Sequence, residues 1–255
     1  MRDLVYGLRT WMLTGAQRAL ARPGPIEHGG LSLVVASGVH HPAPALGIGF
    51  WPLQEAALER IPPRAAVLEI GTGAGFWAIA AARRGFEVTA TDLPHVPLEP
   101  VADAAVRAGV SVRLLHSDLF DALDETQGLS RDRRPLGAPS GAVRCSLDTA
   151  DGKHRLDRTA AQPTHRYDAI LFNPPFHDAA PRDLAETAWC GGDVIRRCLA
   201  RAPEHLTPNG ALHLLMPRID RRRYTVELAR WSAEVAASRW YPLLGRTDLL
   251  VLRPR

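Results

Sequence analysis

Three observations predict an α/β fold, doubly wound around a mostly parallel sheet. Through the middle of the 255-residue chain, short apolar runs alternate with segments of helical periodicity. One run ends in a glycine-rich turn that opens directly into a helix, the arrangement that places a crevice at the carboxyl ends of parallel strands. Near the end of the chain, two further runs flank Gly245 as a closing antiparallel pair.

Taken in order, residues 1 to 21 carry Leu4, Val5, Leu8, Trp11 and Met12 at helical spacing, which predicts an amphipathic helix. Such a helix either covers a site or packs on the sheet. "ARPGPIEHGG" breaks it, and "LSLVVASGVHHPAPALGIGF" reads as a short strand or hairpin followed by a loop. "WPLQEAALERIPP" is a helix opened by Pro52 and stopped by Pro62 and Pro63. "AAVLEI", "FEVTATD", "VSVRLLHSD", "RYDAILFN" and "GALHLLMP" are the five strands expected to run parallel. "FWAIAAARRG" and "PLEPVADAAVRAG" are helices between them. "RRRYTVELARWSAEVAAS" is expected to be a helix, followed by "RWYPLL" and "DLLVLRP" as the hairpin.

The expected organisation is an N-terminal helix and substrate-side segment over residues 1–60, then one main domain over 61–255. That domain is interrupted at 121–166 by a polar, arginine-rich insertion, too long for an ordinary connection. With 46% of residues apolar, the chain can bury one sizeable core or two small ones. The net charge is +4, carried almost wholly by arginine, since Lys153 is the lone lysine. This lean leaves a nucleic-acid partner open without requiring one. Cys145, Cys190 and Cys198 show no paired spacing, so neither a disulfide framework nor a zinc site is expected. His40, His41 and His177 lack the carboxylate or cysteine company of a metal centre, and no metal is expected. The start of the chain is interrupted by arginines, which argues against a signal peptide or membrane span and for a cytoplasmic location.

The chemistry is concentrated at three strand ends. "VLEIGTGAGFWAIA" sets Glu69, Gly71, Gly73 and Gly75 at alternate positions across a strand-to-helix turn. Glycines there allow positive φ and close approach of backbone amides to a ligand. A dinucleotide site prefers G-x-G-x-x-G, with pyrophosphate on the helix N-terminus. Here the third glycine comes one residue early and a carboxylate precedes the first. That acid repels a pyrophosphate and suits an ammonium group. Asp92 ends the next strand and Asp118 the one after. Each is either a turn cap or a ligand contact. A carboxylate about twenty residues past the loop can accept both hydroxyls of a ribose.

"YDAILFNPPFH" ends the fourth strand with Asn173, Pro174, Pro175, Phe176 and His177. Two acceptors, the Asn173 side-chain oxygen and the Pro174 carbonyl, would each take one N–H of an amino or amide nitrogen. They would turn its lone pair outward and favour the positive charge that develops there on reaction. Prolines have no N–H and a fixed φ, so they make a stiff mount for that carbonyl. Phe176 is placed to stack on a planar group.

E-x-G-x-G-x-G followed by acidic strand ends and NPPF resembles the class I S-adenosylmethionine-dependent methyltransferases. It is similar in particular to those that methylate nitrogen: release-factor glutamine methyltransferases, adenine amino methyltransferases and guanine-N2 ribosomal RNA methyltransferases. The resemblance covers about residues 64 to 217, insertion excluded. It implies a Rossmann-like, mostly parallel seven-stranded sheet with a C-terminal antiparallel hairpin. It implies S-adenosyl-L-methionine as cofactor, held by Glu69, Gly71, Gly73, Gly75, Asp92, Asp118 (at the adenine amino group) and Asn173. Asn173, Pro174 and Phe176 would be catalytic, with Pro175, His177 and His41 lining the acceptor site. The expected acceptor is an amide, amino or heteroaromatic nitrogen of a protein glutamine or small molecule, an RNA base being the alternative. A nicotinamide-dependent oxidoreductase on a similar sheet is the more distant rival.

Overall fold

The computed structural model describes residues 8, 11, 12, 15, 24–36, 39, 49–93, 95–126, 143–147, 154–157, 166–177, 179–183, 186–242 and 244–255. In chain order these form β1 (Gly24–His28), β2 (Leu31–Val35), α1 (Trp51–Leu58), β3 (Ala66–Ile70), α2 (Phe76–Arg83) and β4 (Glu87–Asp92). Then follow α3 (Glu99–Arg107), β5 (Val112–His116), α4 (Asp121–Thr126), β6 (Val143–Leu147), β7 (His154–Asp157) and β8 (Tyr167–Phe172). The chain closes with α5 (Val194–His205), β9 (Leu206–Pro217), α6 (Thr225–Leu228), β10 (Trp231–Tyr241) and β11 (Gly245–Pro254).

The main sheet has strand order β10-β11-β9-β8-β3-β4-β5-β6-β7. From β9 to β5 the neighbours are parallel, and β11 returns antiparallel between β9 and β10. These seven strands are the sheet the resemblance implied. β6 and β7 come from the inserted segment and extend it past β5 as an antiparallel hairpin. Apart from these strands, α4 and Arg166, the insertion lies outside the described residues.

Parallel strands buried on both faces read as near-continuous apolar runs, as in "AVLEI" and "YDAILF". One face packs on β2, α1, α2 and α3 through Leu33, Leu53, Ile79 and Val101. The other packs on α4 and α5 through Leu123, Ile195 and Leu199. Leu31, Phe50 and Leu58 belong to the first of these cores, so the segment before β3 shares the core of the main domain.

Two expectations are corrected. β1 occupies part of the stretch read as a break, turning through Gly29 and Gly30 into β2. The helix expected over 221–238 is short: a 3-10 turn at Arg221–Tyr224 and α6 give way to β10 at Trp231. Pairing with β11, from Trp231 opposite Pro254 to Tyr241 opposite Gly245, overrides the helical composition of that stretch. Of the expected N-terminal helix, Leu8, Trp11, Met12 and Gly15 are described; they are helical, and the three large side chains are exposed. No helix among the described residues is long and apolar enough to cross a membrane.

Candidate functional site

The turn after β3 is clipped down by the neighbouring strand. The Gly71 and Thr72 amides both donate to the Thr91 carbonyl on β4, at 2.9 and 3.0 Å. Gly75 then caps α2 at φ +84, where a Cβ would lie 2.5 Å from Cγ1 of Val101. Gly73, at φ +56, brings the backbone within 3.1 Å of Val39 by the same measure. Positive φ and crowding together reserve both positions for glycine.

Glu69 is buried beneath this turn. Its Oε2 accepts the Thr72 hydroxyl at 2.6 Å and the Ala78 amide at 2.9 Å. Burial lifts its pKa from 4.5 to about 8; the two hydrogen bonds oppose the rise and the Asp92 charge adds to it. Asp92 Oδ2 accepts the Gly73 amide at 2.7 Å and Oδ1 the Leu93 amide at 2.8 Å. Burial raises the Asp92 pKa too, against those amides and against His95 and His116. The acid at the end of β4 therefore holds the glycine turn in place, while each oxygen keeps a lone pair for a ligand hydroxyl.

A cavity of about 330 Å3 opens at the carboxyl ends of β3, β4, β5 and β8. Glu69, Gly71, Gly73, Asp92, Asp118, Asn173 and Pro175 all line it, so the residues singled out at four separate strand ends meet in one space. The Asn173 Oδ1 is buried with no hydrogen-bond partner among the described residues. A buried acceptor left unpaired costs about 1–3 kcal/mol, which marks this oxygen as built for a donor on a ligand. Asp118 lines the same space and pairs with Arg197 of α5 at 2.9 Å.

Other expected residues lie elsewhere. Phe176 is 2% exposed, sits in the core edge-on to Phe50 at 5.5 Å, and does not line the cavity. Its ring is spent on packing, so the expected stacking on a substrate is not available from this position. His177 is likewise buried behind the wall, its amide donating to the Trp189 carbonyl at 2.8 Å. Pro174 is buried outside the lining, Gly75 acts as the helix cap, and His40 and His41 fall outside the described residues. Among the described residues, no group of three His, Cys, Asp or Glu could hold a metal ion. Cys190 lines the cavity, but burial raises its thiol pKa, which disfavours a thiolate nucleophile.

Residues 52–252 match the family model of a methyltransferase domain. The chain belongs to that family. A release factor glutamine methyltransferase from Deinococcus radiodurans is 32% identical over 221 residues, covering 83% of this chain and 67% of the relative. A ribosomal RNA small subunit methyltransferase C from Alcanivorax borkumensis is 26% identical over 152 residues, 60% of this chain and 32% of the relative. The chain thus spans between a third and two thirds of the length of these relatives. A solved methyltransferase from Pyrococcus furiosus superposes with a TM-score of 0.51 at 17% identity over 98% of each chain. At that identity the likeness speaks for the Rossmann-like methyltransferase fold alone.

Several residues of this methyltransferase domain escape a reading of the sequence. Gln54 on α1 lines the cavity, is 8% exposed, and leaves its Oε1 without a partner. Its backbone carbonyl accepts the Trp77 indole N–H at 2.9 Å, which sets it against the start of α2. Thr72, Gly191 and Arg197 also line the space. Only Gly191 carried a visible signal, as one of a glycine pair before α5.

Proposed function

We propose that this chain transfers a methyl group from S-adenosyl-L-methionine to a nitrogen, and that the acceptor is an amide nitrogen of a protein glutamine. The residues present fit that cofactor. The turn from Gly71 to Gly75 exposes a glycine backbone, Asp92 offers carboxylate oxygens at a distance along the chain suited to a ribose, and Glu69 offers a buried carboxyl that a bound ammonium would ionise. When bound, the cofactor supplies a methyl group made electrophilic by its sulfonium.

The observation that carries the reading is the unpaired, buried Asn173 Oδ1 on the cavity wall at the end of β8. An amide nitrogen is a poor nucleophile because its lone pair is delocalised. Asn173 accepts one N–H of the acceptor, which holds the nitrogen in place and directs its lone pair into the cavity; the Pro174 carbonyl, expected to take the other N–H, belongs to a residue outside the lining. Pro175, whose ring lines the cavity, stiffens the turn. No general base is required in this reading, since the proton departs to water after transfer. A relative named for glutamine methylation supports the amide over other nitrogens. The arginines beyond the end of β9, Arg218, Arg221, Arg222 and Arg246, favour an RNA base as the second reading.

Two measurements test this. Calorimetric titration should show binding of S-adenosylhomocysteine and none of NADH; the reverse would favour an oxidoreductase. Incubation with labelled methyl donor against release factors, ribosomes and cell extract should label a protein fraction, and Asn173→Ala should abolish that labelling while leaving S-adenosylhomocysteine binding nearly intact. A variant that labels at the wild-type rate would remove Asn173 from the mechanism.

A further inference from the structure

β8 and β9 run parallel, Phe172 opposite Leu214, so the turn bearing Asn173 and the end of β9 leave the sheet side by side. The rim beyond β9 is built from arginines. Arg218 follows β9 and donates its amide to the Arg246 carbonyl at 2.7 Å; Arg246 on β11 lies opposite Trp240 on β10. Neighbouring strands are about 4.8 Å apart, so Trp240, Arg246 and Arg218 form a row across three strands. Arg221 and Arg222 sit on the 3-10 turn just past Arg218.

The acidic residues at this rim are withdrawn from its surface. Asp248 is 1% exposed, with Arg218 at 3.1 Å and the Ser238 hydroxyl at 2.6 Å; Asp220 is 2% exposed. Arg221, Arg222 and Arg246 have no carboxylate partner among the described residues. Trp240 is 67% exposed on a strand whose outer edge is unpaired among the described residues. A solvated helix face would intersperse both signs of charge and would not expose an indole.

We infer that this rim docks a single-stranded RNA segment, its phosphates on the arginines and a base stacked on Trp240. Guanidinium groups in a row match phosphate oxygens, and an exposed indole at the outer end of that row accepts any base face without sequence preference. An acidic protein surface would use the charges and leave the indole without a role. The inference rests on and deepens the methyltransferase reading: a glutamine brought to Asn173 is then part of a ribonucleoprotein.

The test uses the full chain and a fluorescent single-stranded RNA of mixed sequence, titrated by anisotropy across a salt series. Wild type should bind at low salt, with log K falling linearly in log salt. Replacing Arg222 and Arg246 together by alanine should reduce that slope by about 1.4. Trp240→Ala should weaken binding roughly tenfold with the slope unchanged, and Trp240→Phe should restore it. All variants should keep wild-type S-adenosylhomocysteine binding. Failure of wild type to bind that ligand would remove the proposed chemistry and leave the RNA result standing. No affinity at low salt, variants that bind as wild type does, or displacement by polyglutamate with no effect of Trp240→Ala would each overturn the RNA surface.

Discussion

Gly191 packs its bare Cα against the Pro175 ring: a Cβ there would lie 2.4 Å from Cγ of Pro175 and 2.6 Å from Cγ1 of Val194. Neither contact can relax cheaply, because one atom belongs to a ring fixed by its own backbone and the other to the first residue of α5. The glycine before α5 therefore sets the position of the turn that carries Asn173. Gly191→Ala should shift that turn and lower methyl transfer by about tenfold to a hundredfold, since small misplacements of a reacting group cost this much. Binding of S-adenosylhomocysteine, which rests mainly on the β3 and β4 ends, should hold. Transfer at the wild-type rate would show that the turn is positioned by something else.

Glu69 gives the protein a pH dependence with a definite sign. Its folded-state pKa, about 8, lies above the unfolded value near 4.5, so the fold prefers the protonated acid. The resulting stabilisation is complete below the unfolded pKa and is lost as pH rises through the folded one. Thermal melts of the unliganded protein should therefore fall across this window, and Glu69→Gln should flatten the fall. A bound ammonium would pull the pKa back down. Titrations with S-adenosylhomocysteine near neutral pH, in buffers of differing ionisation enthalpy, should show proton release in wild type and less in Glu69→Gln. Equal proton counts in both proteins would mean that the carboxylate is already charged before the ligand arrives.

What could be read from the residues followed a physical pattern. β3, β4, β5 and β8 were legible because a strand buried on both faces is apolar throughout, and because Gly71, Asp92, Asp118 and Asn173 end those strands in order. The end of β10 was legible with the hairpin around Gly245, but its first part, Trp231 to Ser238, was not, because its alanines and serines suit a helix equally well. Asn173 was legible as a strand end. The direction of Phe176 was not, since it depends on Phe50, supplied by a segment more than a hundred residues earlier. Gln54 and Arg197 reach the cavity from α1 and α5, and a helix surface gives no local sign of what its outward side chains meet.

The core position of Phe176 separates two roles that its motif confounds. Phe176→Ala should destabilise the fold by about 3–5 kcal/mol, the usual cost of emptying an aromatic core site. Phe176→Leu, which keeps most of the volume, should recover most of the melting temperature and most of the methyl transfer. A ring that stacked on the acceptor would behave differently: leucine would restore stability without restoring turnover. Melting curves and transfer rates on the same two variants decide between them.

Gln54 is, after Asn173, the second unpaired acceptor in the cavity wall among the described residues, and its position makes an unusual demand. Its Oε1 is buried without a partner, while the Trp77 indole fixes its backbone beside Ala78, whose amide binds Glu69. An acceptor oxygen that lines the same cavity as a buried carboxylate is suited to the N–H groups of an ammonium. Gln54→Leu removes the unsatisfied oxygen and should stabilise the unliganded protein by about 1 kcal/mol, within the range for such groups. The same change should weaken S-adenosylhomocysteine roughly tenfold, the loss of about one hydrogen bond to a charged donor. The two effects have opposite signs, so a general packing defect, which would lower both stability and affinity, cannot imitate them. A less stable variant with unchanged affinity would make Gln54 a structural residue of α1 and leave the ammonium to Glu69 alone.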